Sequence, residues 1–257
     1  MKRIKSSARL ERTSAATDPP SGNSCENTLL LSLAVKDRNY ILARCQFVEI
    51  RKHSVINEID APIKFCYFIT AGLASILSVM SSGKSVEVGL VGKEGFIGLP
   101  PTVGFSTSPT RVVMQVEGSA FRLSAADLKE CLRKSPALEL SLKRFSQTLT
   151  LQATQIAACN RVHEVDQRLA RWLLMSLDRL DGDSVPLTQD SLANMLGTRR
   201  ASVTVAAGIL QRAGLITYRR GDVSIDNREG LELASCECYE TLKRQTAKWT
   251  NELDKMQ

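Results

Sequence analysis

The chain is poor in the groups on which most enzymes rely. It holds two histidines in 257 residues, His53 and His163, and neither lies in a nucleophile or metal-binding motif. No serine elbow or complete Walker loop occurs: Ser82-Gly-Lys-Ser85 has the tail of a phosphate loop without its upstream glycine and reads as a β turn. Catalysis is therefore not expected, and neither a cofactor nor a metal is. A run of about 18 apolar residues is also missing, which argues against a membrane helix. The first two dozen residues lack the apolar stretch of a signal peptide, so the expected location is the cytoplasm.

Paired C-x-x-C spacing is absent as well. The seven cysteines, Cys25, Cys45, Cys66, Cys131, Cys159, Cys236 and Cys238, are odd in number and scattered, as reduced thiols are. Cys236-x-Cys238 has one residue between its thiols and no second pair, which speaks against structural zinc. Cys25 alone cannot hold an iron–sulfur cluster.

What is present describes a globular chain. It is 43% hydrophobic and 24% charged, enough for two domains, and its formal charge of +7 favours a polyanionic partner. Residues 1–30, with Lys2, Arg3, Lys5, Arg9 and Arg12 followed by Ser, Thr, Pro and Gly, read as a flexible basic tail.

The most informative stretch is Leu187–Ile216. Leu192, Ala193 and Leu196 form the apolar face of one short helix, Thr188 is placed to cap its free N–H groups, and Gly197 ends it. Thr198 is expected to cap a second helix. There Val203, Ala206, Ala207 and Leu210 recur at helical spacing, which turns Arg200, Ala201, Thr204, Val205 and Gly208 outward together. This is a helix-turn-helix whose outer face fits a DNA major groove. The next segment, Leu215–Ile225, alternates around Arg220-Gly221-Asp222 and predicts a hairpin, making the unit a winged helix. From Thr198 to Asp222 it carries Arg199, Arg200, Arg212, Arg219 and Arg220 against Asp222 alone, a balance suited to phosphate contact.

Upstream, from about Tyr40 to Leu123, short alternating runs broken by glycines predict a β barrel or roll, with Arg111–Val116 and Ala120–Leu123 as a last pair joined through Glu117-Gly118-Ser119. After Pro136, Leu138, Leu142, Phe145, Leu149, Gln152, Ile156 and Cys159 repeat in alternating steps of four and three. A helix packed on its own domain would carry the same stripe. A long helix between two globular units favours pairing with a second copy instead, with Gln152 setting register. Val165, Leu169, Trp172, Leu173 and Leu177 begin the DNA-binding unit, with His163 a structural residue at the hinge. The expected class is α+β, divided as tail 1–30, β-roll sensor 31–135, dimerisation helix 136–161, winged helix 162–235 and helical extension 236–257.

This order resembles the family of bacterial regulators that includes the cyclic-AMP receptor protein and the fumarate and nitrate reduction regulator. The likeness spans about residues 40 to 240 and rests on Leu187–Ile216, Asn160–Leu174 and Gly95-x-x-Gly98. It implies a homodimeric transcription regulator that binds double-stranded DNA at an inverted repeat and works with RNA polymerase. By position, Arg200 matches an arginine that reads guanine and Ser202 a phosphate contact. Ala201 and Val205 replace a base-reading glutamate and arginine, so the operator should differ. The DNA-contacting set implied is Thr188, Arg199, Arg200, Ala201, Ser202, Thr204, Val205, Arg219 and Arg220. The resemblance puts the effector pocket at Gly95, Phe96, Ile97, Gly98, Leu99, Thr110 and Arg111. Phe96 stands where the family's glutamate holds a ribose hydroxyl, and Arg111 is one residue out of register with the phosphate-binding arginine. Loss of cyclic-AMP binding follows. The β roll is then either a sensor for an unknown effector or partner, or a scaffold in an effector-independent regulator.

Overall fold

A computed structural model describes residues 26–219 and 221–254. Two short helices, α1 (Thr28–Leu31) and α2 (Val35–Leu42), lead into strands β1 (Gln46–Ile50), β2 (Val55–Asn57), β3 (Phe65–Val79), β4 (Ser85–Val91), β5 (Phe96–Ile97) and β6 (Arg111–Ser124). They form one antiparallel sheet in the order β1-β6-β3-β4, with β2 added to β6 and β5 to β3. The fold class is α+β, as expected.

The glycines of the roll do not break it into short strands. Phe65–Val79 and Arg111–Ser124 each run through as one long strand, and their register shifts between Ile69 and Ala74, where the backbones of Gly72 and Gly118 come close. A Cβ on Gly118 would lie 2.0 Å from the Ala71 carbonyl oxygen, and Gly72 has φ +85°. The two glycines therefore let two strands bend through one another's bulges, where sequence spacing alone suggested a turn.

Of the expected tail, residues 1–25 lie outside the described residues. The next few residues belong to the fold: Leu30 is buried in the roll's core, and the Asn27 amide donates to the carbonyls of Ile69 and Gly95, both at 2.8 Å.

Helix α3 (Ala125–Lys134) is capped by Ser124, whose hydroxyl accepts from the Asp127 N–H, and Ser135 then caps α4 (Pro136–Val162). Leu138, Leu142 and Phe145 of α4 are buried in the β-roll core, and Leu149 packs against it. The stripe expected to pair with a second copy is thus covered within the protomer. Gln152, expected to set register between paired helices, is buried inside the protomer. It lies beside the edge strand β4, where its carbonyl oxygen accepts from the Leu90 N–H at 3.1 Å and its amide donates to the Leu90 carbonyl at 3.5 Å. One side chain thereby takes the place of a neighbouring strand at a buried edge.

The C-terminal unit comprises α5 (Val165–Leu177), β7 (Ser184–Val185), α6 (Gln189–Met195), α7 (Arg200–Arg212), β8 (Ile216–Arg219), β9 (Asp222–Ile225), α8 (Arg228–Ala234) and α9 (Cys238–Asp254). Its core gathers Leu169, Trp172 and Leu173 with Leu192, Leu196, Val203, Leu210 and Val223, and it includes Tyr239 and Leu242 of α9. The last helix is therefore part of this unit's packing. The same core takes in Leu73 and Leu90 of the β roll, so the two units share apolar contact. Glu87 of β4 is buried at that junction. It accepts from Ser75 Oγ at 2.5 Å and from Trp172 Nε1 of α5 at 2.8 Å. Burial pushes its carboxyl up to about 7, against the lowering effect of those two hydrogen bonds and of Arg171 and Arg179.

Candidate nucleic-acid interface

The helix-turn-helix forms for the local reasons its residues suggest. Thr188 Oγ1 accepts from the Ser191 N–H at 3.2 Å and caps α6. Gly197 takes the left-handed conformation at φ +59° and turns the chain. The second cap differs from expectation: Arg199, not Thr198, is the N-cap of α7, and its side chain makes no capping hydrogen bond. The first turn of α7 consequently keeps free N–H groups and no acidic residue, a positive end suited to a phosphate.

Val203, Ala206, Ala207 and Leu210 of α7 are buried, whereas Arg199, Arg200, Ala201, Thr204 and Val205 are exposed and Ser202 is half-buried. Val205, in the middle of this face, is 63% exposed. Thr204 Oγ1 donates to Gln189 Oε1 at 2.8 Å, and Arg200 lies 3.4 Å from Asp190 in a solvent-exposed ion pair. Such a pair adds little stability, so Arg200 is free to exchange it for another acceptor.

The wing is the β8–β9 hairpin, in register at Arg219 and Asp222, with Gly221 at φ +84° in its two-residue turn. Arg219 is exposed, and Arg220 lies outside the described residues. Tyr218 anchors the wing to the segment just before α6 by donating to the Leu187 carbonyl at 3.0 Å. A cleft of about 420 Å³ between wing and helices is lined by Thr188, Gln189, Asp190, Arg200, Tyr218 and Gly221.

The residues expected to line an effector pocket are mostly taken up by packing. Phe96 and Ile97 are buried in the core, and the Phe96 ring lies 4.7 Å from that of Phe68. A Cβ on Gly95 would come within 2.6 Å of the Phe145 ring, and one on Gly98 within 2.6 Å of Cys66 Sγ. Leu99 also packs against the core. Thr110 bonds to Ser108 at 2.9 Å, and Arg111 pairs with Glu58 at 2.9 Å near the surface. Partial burial opposes ionisation of Glu58, but the hydrogen bonds from Arg111 and the Ile59 N–H hold it below the usual carboxylate range.

One constellation escaped the sequence reading. Cys159 and His163, at the end of α4, meet Cys236 and Cys238, around the start of α9, with their ligand atoms all within 4.8 Å of one another. The cysteines are thus not all scattered, and a histidine is at hand. The signal was Cys159-x-x-x-His163, a spacing that puts two side chains on one helical face.

Two family models match the chain: the cyclic nucleotide-binding domain over residues 47–135 and the Crp-like helix-turn-helix domain over residues 167–234. Together they take in more than half of it. Among solved structures, a putative Crp/Fnr-family transcriptional regulator from Eubacterium rectale is 15% identical at a TM-score of 0.63, covering 82% of this chain and 99% of that one. FixK2 from Bradyrhizobium japonicum is 16% identical at 0.65, covering 75% and 98%. The cyclic-di-GMP-responsive global regulator CLP from Xanthomonas campestris is 17% identical at 0.62, covering 75% and 99%. No match was found among functionally curated proteins.

Proposed function

The chain belongs to the Crp/Fnr family of DNA-binding transcription regulators, and from that premise we propose that it binds an inverted-repeat operator as a homodimer, with α7 in the major groove. The observation that carries this reading is the face of α7. Its apolar side is buried, while Arg199, Arg200, Ala201, Thr204 and Val205 project together beside a helix N-terminus without acids. Arg200 would read guanine, Ala201 and Val205 would meet thymine methyls, and Thr188, Arg199, Ser202, Arg219 and Arg220 would hold phosphates.

The dimer reading moves to another face of α4. Leu140, Gln147, Thr154 and Arg161 recur at seven-residue spacing and are exposed, with Ala157 and Ala158 beside them. Small side chains at such a seam let two helices approach closely, and two-fold pairing sets the half-sites about one helical turn, roughly 34 Å, apart. Work with RNA polymerase in the cytoplasm is part of the same reading; no helix among the described residues is long and apolar enough to cross a membrane.

For the β roll, burial of Phe96 against Phe68 favours the second reading, a scaffold with no cyclic-AMP response. CLP is described as responsive to cyclic di-GMP; an effector of any class would here have to act without a ribose bond at residue 96. The test of the whole reading is enrichment of random duplexes by the full chain. An inverted repeat with a fixed guanine in each half-site is expected, and Arg200→Ala should relax that base. Enrichment of unrelated single half-sites would reject the dimer, and no enrichment would reject the operator.

A further inference from the structure

We propose that Cys159, His163, Cys236 and Cys238 form a zinc site that clamps the end of α4 to the start of α9. The proposal does not depend on the DNA-binding reading. Cys159 Sγ and Cys236 Sγ are 3.5 Å apart, and Cys238 Sγ is 3.6 Å from His163 Nδ1. A tetrahedral zinc with bonds of about 2.3 Å to sulfur and 2.0 Å to nitrogen requires ligand-to-ligand edges of about 3.5 to 3.8 Å. Three thiolates and one imidazole are a donor set that zinc takes in structural sites.

The surroundings of the four ligands fit the same role. Nε2 of His163, the nitrogen turned away from the sulfurs, lies 2.9 Å from Glu237 Oε2. Ligating histidines are commonly held in this way by a carboxylate on the far ring nitrogen. Gln155 Nε2 donates to Cys238 Sγ at 3.1 Å, the kind of outer hydrogen bond that supports a metal-bound sulfur. Cys159, Cys236 and Cys238 are buried, and His163 is 13% exposed at its side chain.

Charge balance points the same way. Zinc with three thiolates and a neutral histidine carries one net negative charge, which a buried site must offset. Arg168 and Arg171 of α5 are buried, each has an Nε without a hydrogen-bond partner, and neither forms an ion pair with a carboxylate among the described residues. Both interact electrostatically with Cys159. On binding, the protons of the three thiols pass to solvent and no redox change occurs.

Such a site would tie together three segments that meet at the hinge between the units: the last turn of α4 at Cys159, its C-cap His163 on the way to α5, and the link from α8 to α9. A zinc ion would therefore hold the C-terminal helix against the long helix without adding apolar area.

The test uses the full chain, purified anaerobically and analysed for metal and free thiols. About one zinc per chain is expected, with X-ray absorption showing three sulfurs and one nitrogen at the distances above. Cobalt(II) added to chelator-treated protein should give the visible bands of tetrahedral thiolate coordination, reversed by zinc. Cys236→Ser and His163→Ala should each lower zinc retention at least tenfold, with Cys45→Ser in the β roll as the control that keeps it. Should those variants fail to fold, the cobalt and absorption spectra of the unaltered chain still decide. Reduced, folded protein that takes up neither zinc nor cobalt would overturn the proposal, as would a Cys159–Cys236 disulfide in the anaerobically purified chain.

Discussion

Replacing Glu87 by glutamine should make the protein more stable at pH 8 and leave it unchanged near pH 4. Glu87 is a buried carboxyl between the β roll and α5, held at about 7 against an ordinary value of 4.5. Its folded-state value is raised, so its stabilising contribution is fully present below about 4.5 and is lost as pH rises through about 7. Each unit corresponds to 1.36 kcal/mol, so ionised Glu87 costs the fold about 3 kcal/mol at pH 8 relative to a neutral group. Glutamine keeps both hydrogen bonds: its carbonyl oxygen can accept from Trp172 Nε1, and its amide can donate to Ser75 Oγ. Urea unfolding of both proteins between pH 4.5 and 8.5 is the assay. The difference between them should grow from near zero to about 3 kcal/mol across that range and level off above pH 7.5. A difference that does not vary with pH, or a variant weaker than the parent at pH 8, would refute the reasoning.

The other predictions concern α4, the roll and the reading helix. Leu142→Glu with Leu149→Glu should unfold the β roll, not merely separate protomers, and Leu142→Ala alone should cost about 2 to 5 kcal/mol in the same urea assay. By contrast, Gln147→Glu with Thr154→Glu should weaken self-association in sedimentation and leave the unfolding midpoint of the isolated protomer in place. Calorimetric titration of cyclic AMP should give no micromolar binding, because Phe96 occupies the core and offers no acceptor to a ribose hydroxyl. Arg200→Ala should cost about 1 to 3 kcal/mol on the preferred duplex with loss of one base preference, whereas Arg199→Ala should weaken all duplexes alike and reduce the salt slope.

The parts of this molecule written in local signals are the ones that its sequence reveals. Thr188 and Gly197 start and stop α6 through contacts within a few residues, and the burial of Val203, Ala206, Ala207 and Leu210 follows from helical spacing alone. What spacing cannot say is which surface a stripe meets. Leu138, Leu142, Phe145 and Leu149 repeat as a coiled-coil seam would, yet the nearest apolar surface is the protomer's own β roll. Gln152 shows the same ambiguity, since a polar residue in a seam can set register or satisfy an edge strand. Gly72 and Gly118 look like turn residues in isolation; only their meeting across two long strands shows that they relieve a backbone clash. The Cys159, His163, Cys236 and Cys238 cluster was illegible for a different reason. About seventy residues of chain separate its halves, and the path of α5 to α8 between them is what brings them together.

The most direct measurement is binding of the full chain to the duplex it enriches, followed by fluorescence anisotropy as salt is raised from 50 to 300 mM and compared with a scrambled duplex. Affinity for the enriched duplex should exceed that for the scrambled one by about a thousandfold or more and fall linearly in log–log form with salt, at two chains per duplex. Equal affinity for both duplexes, or binding that salt does not weaken, would contradict the account of α7 as a sequence-reading helix on a phosphate-binding frame.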